Sequence, residues 1–258
     1  MKHVLFACAC SVLITACATP RTFNHIDADA RSSLKSAETV LVVTQSEIGS
    51  DINVSNVQAA TGGGLLGAVI DASVNSKRTK VAEETVGPIR DKLIDYDFAT
   101  VFESSLKSEL SSTPIEGLGN VELRRATDKD MAEGVMAETS SDAVLFVDTT
   151  YNFSPDFSRI IARASVAMYP KSAALFAYRE KNKDDGDYTD LKDNIYRNSV
   201  VHEENLLSAT SELEQNAARV LEMDTSELEA VLNRAAAGLA DAISHDVMVD
   251  DAEPVEIK

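Results

Sequence analysis

The sequence predicts an α+β fold, with α/β as the alternative. It would consist of one mixed β-sheet of about five to six strands, flanking helices and a C-terminal helical pair. Three observations predict it. Short β-branched runs alternate with amphipathic segments in the first half of the chain. The second half carries alternating segments separated by turns, as antiparallel strands do. The last part holds two stretches with helical spacing.

The first half of the chain predicts the order β-α-β-α-β, which favours neighbouring strands joined by right-handed crossovers. Gly87-Pro88 predicts a break or kink before the first long helix. The predicted elements are strands over Glu38–Thr44, Val121–Ala126 and Ala143–Val147, and helices over Ile89–Leu110 and Asp128–Thr139.

The second half predicts an antiparallel meander and then helices. Its predicted strands are Asp148–Phe153 as a continuation, Arg159–Tyr169, Ala174–Arg179 and Ile195–His202. Two amphipathic segments, Leu206–Glu222 and Ser226–Val247, predict the helical pair, and residues 250–258 predict an acidic frayed tail.

Composition indicates a globular chain with an acidic surface. The 258 residues are 44% hydrophobic and 26% charged, and their formal net charge is −18. Such a charge repels nucleic acid and anionic lipid head groups, so we expect no nucleic-acid partner. Basic partners stay compatible with it.

The N-terminal residues predict secretion. Lys2 supplies a positive charge, and Val4–Ala16 is a short run of apolar and small residues. That run is too short to cross a bilayer, which needs about 20 helical residues. Leu13-Ile14-Thr15-Ala16-Cys17 combines aliphatic and small residues before a cysteine.

These residues resemble the lipobox of bacterial lipoproteins. The resemblance implies a signal peptide over 1–16 and a Cys17 that is diacylated, freed by cleavage and then N-acylated. Because Ala18 rather than an aspartate follows, it also implies the outer membrane, facing the periplasm, over the inner membrane. We therefore expect a lipidated tether over 17–36, a domain over 37–205 and C-terminal helices over 206–249.

The positions of the cysteines agree with a lipidated protein outside the cytoplasm. The chain has three cysteines, at positions 8, 10 and 17. The first two would leave with the signal and the third would carry lipid. The mature chain would then have no internal disulfide and no cysteine-based metal site.

A glycine-rich segment, Thr61–Ser73, is the second distinctive feature. Gly63 and Gly67 are four residues apart, as are Gly64 and Ala68, so on a helix they form a face that admits another backbone closely. The segment resembles, over a short stretch, the glycine zippers of some envelope proteins. Three interpretations stay open: a closely packed helix start or loop, a self-association surface, or a membrane-inserting segment.

The motifs that carry catalysis or metal binding are missing from the sequence. The histidines beyond the signal, His25, His202 and His245, have no partner at metal-ligand spacing. No Gly-x-Ser-x-Gly occurs, and the loop around Gly186 has lysines where a calcium loop needs ligands. His202-Glu203-Glu204 is interpreted as a solvated strand end. We therefore predict no catalytic residue, no metal site and no cofactor.

The order of elements behind a lipid anchor resembles the small periplasmic domains of the TolB N-terminal, LpoB and CsgG types. The likeness covers about residues 38–203 and transfers no functional residue. Three functions are considered: a non-enzymatic scaffold, accessory subunit or activator of another envelope protein; an oligomeric assembly or secretion component that uses the glycine-rich segment; and an enzyme with an unrecognised site.

Overall fold

The computed structural model describes residues 25–26, 28–51, 65–126, 131–176, 194–208, 210 and 212–249, with backbone alone described for 65–75. Within these residues the protein has one six-stranded sheet. The strands are β1 Ala37–Val42, β2 Gly49–Ser50, β3 Val121–Arg124, β4 Ala143–Phe153, β5 Arg159–Pro170 and β6 Tyr196–Asn205.

The sheet is mixed, as the sequence predicts. Its strand order is β3-β1-β4-β5-β6, and β2 pairs with the end of β4. β1 runs parallel to β3 and β4, whereas β4, β5 and β6 form an antiparallel meander. The β-α-β-α-β half and the meander therefore share one sheet through β4.

Helices flank the sheet and include the C-terminal pair. They are α1 Ala28–Ser33, α2 Leu65–Lys92, α3 Phe98–Ser111, α4 Met131–Glu138, α5 Leu213–Glu222 and α6 Thr225–Met248. This arrangement confirms the α+β class. Among the residues described, none of these helices combines the length and the apolar composition that crossing a bilayer requires.

The helix predicted over Ile89–Leu110 is wrong in its bounds. α2 continues through Pro88 to Lys92, and α3 begins anew at Phe98. Gly87 has no Cβ to clash with the ring of Pro88, which removes one of the obstacles to a helix at this point. The new start has its own cap, since the Asp97 carboxylate accepts a hydrogen bond from the Thr100 N–H at 3.3 Å.

Two further boundaries differ from the sequence prediction. Residues 174–176 belong to a helical turn instead of a strand, since the Leu175 and Phe176 N–H groups donate to the Ser172 carbonyl at 3.1 and 3.3 Å. The rest of that predicted strand lies outside the described residues. α5 starts at Leu213 instead of Leu206, because the Leu206 N–H donates to the Ser158 carbonyl at 2.9 Å beside the sheet.

The main core lies between one face of the sheet and the helices α3 and α6. Both helices place apolar residues at helical spacing against it, and the strands contribute every second residue. Its fully buried members include Phe102, Leu106, Leu145, Val147, Leu239 and Ile243. We call this side of the sheet the inner face.

Hydrogen bonds fix the C-terminal end of α6 to β6 and α1. The Tyr196 hydroxyl donates to the Asp246 carboxylate, which also accepts from the Asn198 amide at 2.7 Å. Burial and this hydrogen bond raise the pKa of Tyr196, so it remains a donor. The Arg31 guanidinium donates to the Met248 and Val249 carbonyls at 2.7 and 2.8 Å. These bonds satisfy carbonyls that a helix end leaves unpaired.

Candidate functional site: the open face of the sheet

The side of the sheet opposite α3 and α6, the outer face, is covered along part of its width. α4 packs there with Met131, Val135 and Met136 against a small apolar cluster of Val40, Val42 and Val144. The Phe146 ring also joins this cluster and meets the Tyr169 ring edge-on at 5.7 Å. The helix therefore closes the outer side of β1 and of the first half of β4.

Much of the remaining outer side of β4, β5 and β6 is exposed, although Ile161 on β5 is buried there. Asp148, Thr150, Ser165 and Val201 are all exposed, and Val201 keeps 48% of its surface. We define the open face as the outward side chains Asp148, Thr150, Asn152, Arg159, Arg163, Ser165, Arg197, Val201 and Glu203, together with Asp51. The inward residues of the same strands, such as Leu145 and Val166, are buried. Both faces of the sheet are thus covered by helices at β1, whereas at the meander helices cover the inner face.

Asp148 is a carboxylate on the open face whose desolvation is only partly offset by hydrogen bonding. It lies between Val42 on β1 and Ser165 on β5. These strands partly desolvate its carboxyl, which raises its pKa, and the hydrogen bond from the Thr149 N–H offsets only part of that. The raised pKa means that the ionised carboxylate is destabilised here. A hydrogen-bond donor or a cation from a ligand would stabilise it.

Asp51 fixes one side of the open face. Its carboxylate accepts from the Asn152 amide at 3.0 Å and from the Arg163 guanidinium at 2.5 Å. The Asp51 N–H also donates to the Phe153 carbonyl at 2.9 Å. Backbone and side chain together hold this residue against the sheet, so the adjoining part of the open face is ordered before any ligand binds.

The open face is balanced in charge, unlike the chain. Among its residues, Asp51, Asp148 and Glu203 are acidic, and Arg159, Arg163 and Arg197 are basic. The whole chain carries −18. Arg163 pairs with Asp51 and Arg159 pairs with Glu203. A face with balanced charges repels an approaching protein less than the rest of an acidic surface does.

A second polar cluster lies at the carboxyl ends of β1 and β3. The Arg125 guanidinium donates to both oxygens of Asp97, at 3.1 and 2.5 Å, and to the Thr100 hydroxyl at 3.1 Å. The hydrogen bond from Arg125 is the main reason why the pKa of Asp97 falls to about 2. The groups satisfy each other and the cap of α3, so we interpret this cluster as structural.

The Asp97 pair predicts a modest loss of stability in acid. A lowered pKa in the folded state adds stability above the unfolded-state value of about 3.9, and that stability is lost as the pH falls toward 2. The side chains of Asp97 and Arg125 are 45% and 53% exposed, so we expect less than about 1 kcal/mol. Urea unfolding of the wild type and Arg125→Gln should therefore differ at pH 7 and converge near pH 2. An equal difference at both pH values would contradict this account.

The structure describes only some of the site residues that the sequence predicts. Cys17, Gly63 and Gly64 lie outside the described residues. Gly67 and Ala68 lie in the first turns of α2, so that part of the glycine-rich segment is helical. His202 is not at a solvated strand end as predicted. It faces α6, where Gly238 packs against its ring, and its Nε2 lies 3.6 Å from the Glu204 carboxylate.

The open face was not recognised from the sequence, although a signal was present. Asp148, Thr150 and Asn152 alternate with apolar residues, which indicates a strand with one exposed side. The sequence does not tell which strands α4 covers.

Chemistry of other kinds is not apparent in the part of the chain that the structure describes. No cluster of three or more His, Cys, Asp or Glu side chains there could hold a metal ion. A shallow, open depression of about 650 Å³ lies at the β4–β5 turn, lined by residues such as Asp156, Arg159 and Leu207. No family model, curated protein or solved structure matches the chain.

Proposed function

We propose that the chain is a lipid-anchored protein of the outer membrane, facing the periplasm, that acts without catalysis by binding another envelope protein. The lipobox ending at Cys17 supports the anchor and the compartment. The observation that carries the binding role is the open face, which is ordered, charge-balanced and exposed on an otherwise acidic chain. The role is that of a scaffold, an accessory subunit or an activator.

The anchor would keep the domain near the membrane. Ten residues lie between Cys17 and the start of α1 at Ala28, so the Cα atoms of Cys17 and Ala28 are at most about 40 Å apart. Arg31 in α1 in turn binds the end of α6. A partner would therefore be met within this distance of the membrane plus the width of the domain.

Site-specific photo-cross-linking in cells tests the binding role. A photoreactive residue at Thr150 or Ser165 should form an adduct with another envelope protein, because both side chains are exposed on the open face. The matched control is Lys107, an exposed residue on α3, away from this face. Adducts equally frequent at all three positions, or none at Thr150 and Ser165, would overturn the proposed role of the open face.

An oligomeric assembly or secretion component is the second candidate, because Gly67 and Ala68 lie within a regular helix. On a helix, residues of this size allow another helix to approach closely. If they do so between copies, Gly67→Leu should dissociate large oligomers while the chain stays folded. Light scattering of the detergent-extracted protein measures this, with Glu83→Leu, which adds a leucine to the exposed side of α2, as the control. Unchanged size in Gly67→Leu would remove this candidate.

A further inference from the structure

Two charged side chains of the open face have no counter-charge beside them. Four of the six charged side chains on this face are joined in the two ion pairs described above. The other two, Asp148 on β4 and Arg197 on β6, make no ion pair with any residue that the structure describes. The balance of charge on this face therefore includes one free carboxylate and one free guanidinium.

The register of the sheet places these two charges on opposite sides of β5. Asp148 lies opposite Ser165, and Arg197 lies opposite Ala167. Two strand spacings of about 4.8 Å and two residue steps of about 3.4 Å separate their Cα atoms, which are therefore about 12 Å apart. At this separation the carboxylate and the guanidinium do not satisfy each other, and each can receive a group from outside the chain.

β5 forms a shallow trough between the two charges. Its outward residues there, Ser165 and Ala167, have small side chains, whereas Phe146 and Arg197 on either side of Ala167 have large ones. Ser165 is exposed and Ala167 is half-buried. A segment of another protein can therefore approach the backbone of β5 closely at this place.

An apolar border lies along the β4 side of this trough. Met131, Val135 and Met136 of α4 pack in the same cluster as Phe146, and all four side chains are only partly buried. A segment that lies in the trough would cover apolar surface that these side chains leave exposed, which favours binding.

Docking on this face would remove water from both free charges. Asp148 is already partly desolvated, and its ionised form is destabilised as a result. A partner that removed the remaining water without supplying a cation would increase that penalty, because burial of an unpaired charge is strongly unfavourable. The same argument requires an anion opposite Arg197. The face therefore selects against partners that lack these two charges.

We propose that the open face binds a protein segment that places a lysine or arginine against Asp148 and an aspartate or glutamate against Arg197, with the β5 trough between them. This assignment rests on the proposed function and specifies the chemistry of its partner. The net charge of −18 also attracts a partner that is basic overall, which favours the encounter.

Charge reversal combined with photo-cross-linking tests the assignment in the full-length protein in cells. A photoreactive residue at Thr150, two positions after Asp148 on the same side of β4, reports the contact. Asp148→Lys and Arg197→Glu should each lower the yield of the adduct by at least about tenfold, because each sets like charges against each other. Asp148→Glu and Arg197→Lys keep the charges and should retain most of the adduct.

Two matched variants separate the local contact from the net charge. Asp95→Lys and Lys107→Glu make the same changes of charge at exposed positions away from the open face. They should leave the adduct yield within about twofold of the wild type, because salt screens charges at this distance. An equal loss in these controls would show long-range attraction alone and would overturn the assignment.

Urea unfolding separates the loss of binding from a loss of stability. A carboxyl whose pKa is raised in the folded state lowers the stability of the fold at neutral pH. Asp148→Asn should therefore unfold at the same urea concentration as the wild type or at a higher one, and still give less adduct. A lower unfolding midpoint would show that Asp148 stabilises the fold, which would contradict its assignment to binding.

The assignment and the proposed function fail in different ways. If Thr150 and Ser165 both give no adduct with another protein, the binding role fails, and the assignment fails with it. If the adduct forms in equal yield in Asp148→Lys and Arg197→Glu, the binding role stands and the charges assigned to the partner are wrong. An adduct between two copies of this chain would also overturn the assignment.

Discussion

Replacing Gly238 by alanine is expected to destabilise the protein by about 2 kcal/mol. In most helices the same change stabilises by up to about 1 kcal/mol, because alanine is the better helix former. Gly238 lies inside α6, facing β6, and a Cβ added there would lie closer than 3 Å to three ring atoms of His202. Overpacking of this kind costs about 1–3 kcal/mol, so the clash outweighs the helix propensity.

Two further variants make this prediction specific to the contact. Gly134 lies in α4, and a Cβ there would meet nothing within 4 Å, so Gly134→Ala should stabilise by about 0.5–1 kcal/mol. Gly238→Ala combined with His202→Ala should be more stable than Gly238→Ala alone, because the clashing ring is removed. Urea unfolding measures all of them. A stabilising Gly238→Ala would show that the His202 ring moves away from α6 at little cost, which would contradict this prediction.

Replacing Asp156 by alanine is expected to cost about 2–4 kcal/mol. Asp156 is in the β4–β5 turn, and its carboxylate accepts from the Ser154 hydroxyl at 2.6 Å and from the Ser158 N–H and hydroxyl at 3.1 and 2.8 Å. Ser154 and Ser158 are buried, so alanine would leave several buried polar groups without a partner. Each such group costs about 1–3 kcal/mol.

Other contacts also stabilise this turn. Burial raises the pKa of Asp156, but the hydrogen bonds from the two serines outweigh it, and the pKa is lowered overall. The Asn216 amide donates to the Asp156 carbonyl at 2.9 Å, which joins α5 to the turn. Phe157 adopts a φ of 59°, which is rare for a residue with a Cβ, and its buried ring packs 5.5 Å from that of Phe153.

The control for Asp156→Ala is Asp95→Ala, which removes an exposed carboxylate from the turn between α2 and α3. We expect Asp95→Ala to change the free energy of unfolding by less than about 0.5 kcal/mol. If both variants unfolded at the same urea concentration as the wild type, the network around Asp156 would not stabilise the turn.

Much of the fold could be predicted from the sequence, because periodicity reports burial directly. The alternation in Arg159–Tyr169 and the apolar stripe of Ser226–Val247 predicted β5 and α6 nearly to their ends. The break between α2 and α3 could not be predicted as reliably. Gly87-Pro88 is the stronger local signal for a helix break. The actual start of α3 at Phe98 depends on the Asp97 cap, whose carboxylate accepts hydrogen bonds from Arg125 after the end of β3.

The candidate site was harder to predict than the fold. Whether Asp148 and Thr150 are exposed depends on how far α4 extends over the sheet, which is a tertiary fact. In the same way, His202 has the sequence context of a solvated strand end, yet its ring packs against a glycine in α6 that is 36 positions away. The site prediction with the clearest local signature, Cys17, lies outside the described residues.

The central claim is that the chain is a lipid-anchored envelope protein, because the anchor determines which partners the open face can meet. The measurement that tests it most directly is intact mass together with membrane fractionation of the protein expressed in a Gram-negative host, beside Cys17→Ser. The account predicts a wild-type chain that begins at Cys17, carries three acyl chains and sediments with the outer membrane, and a Cys17→Ser chain that stays unprocessed. A wild-type chain that is unmodified and stays in the soluble fraction would contradict the claim.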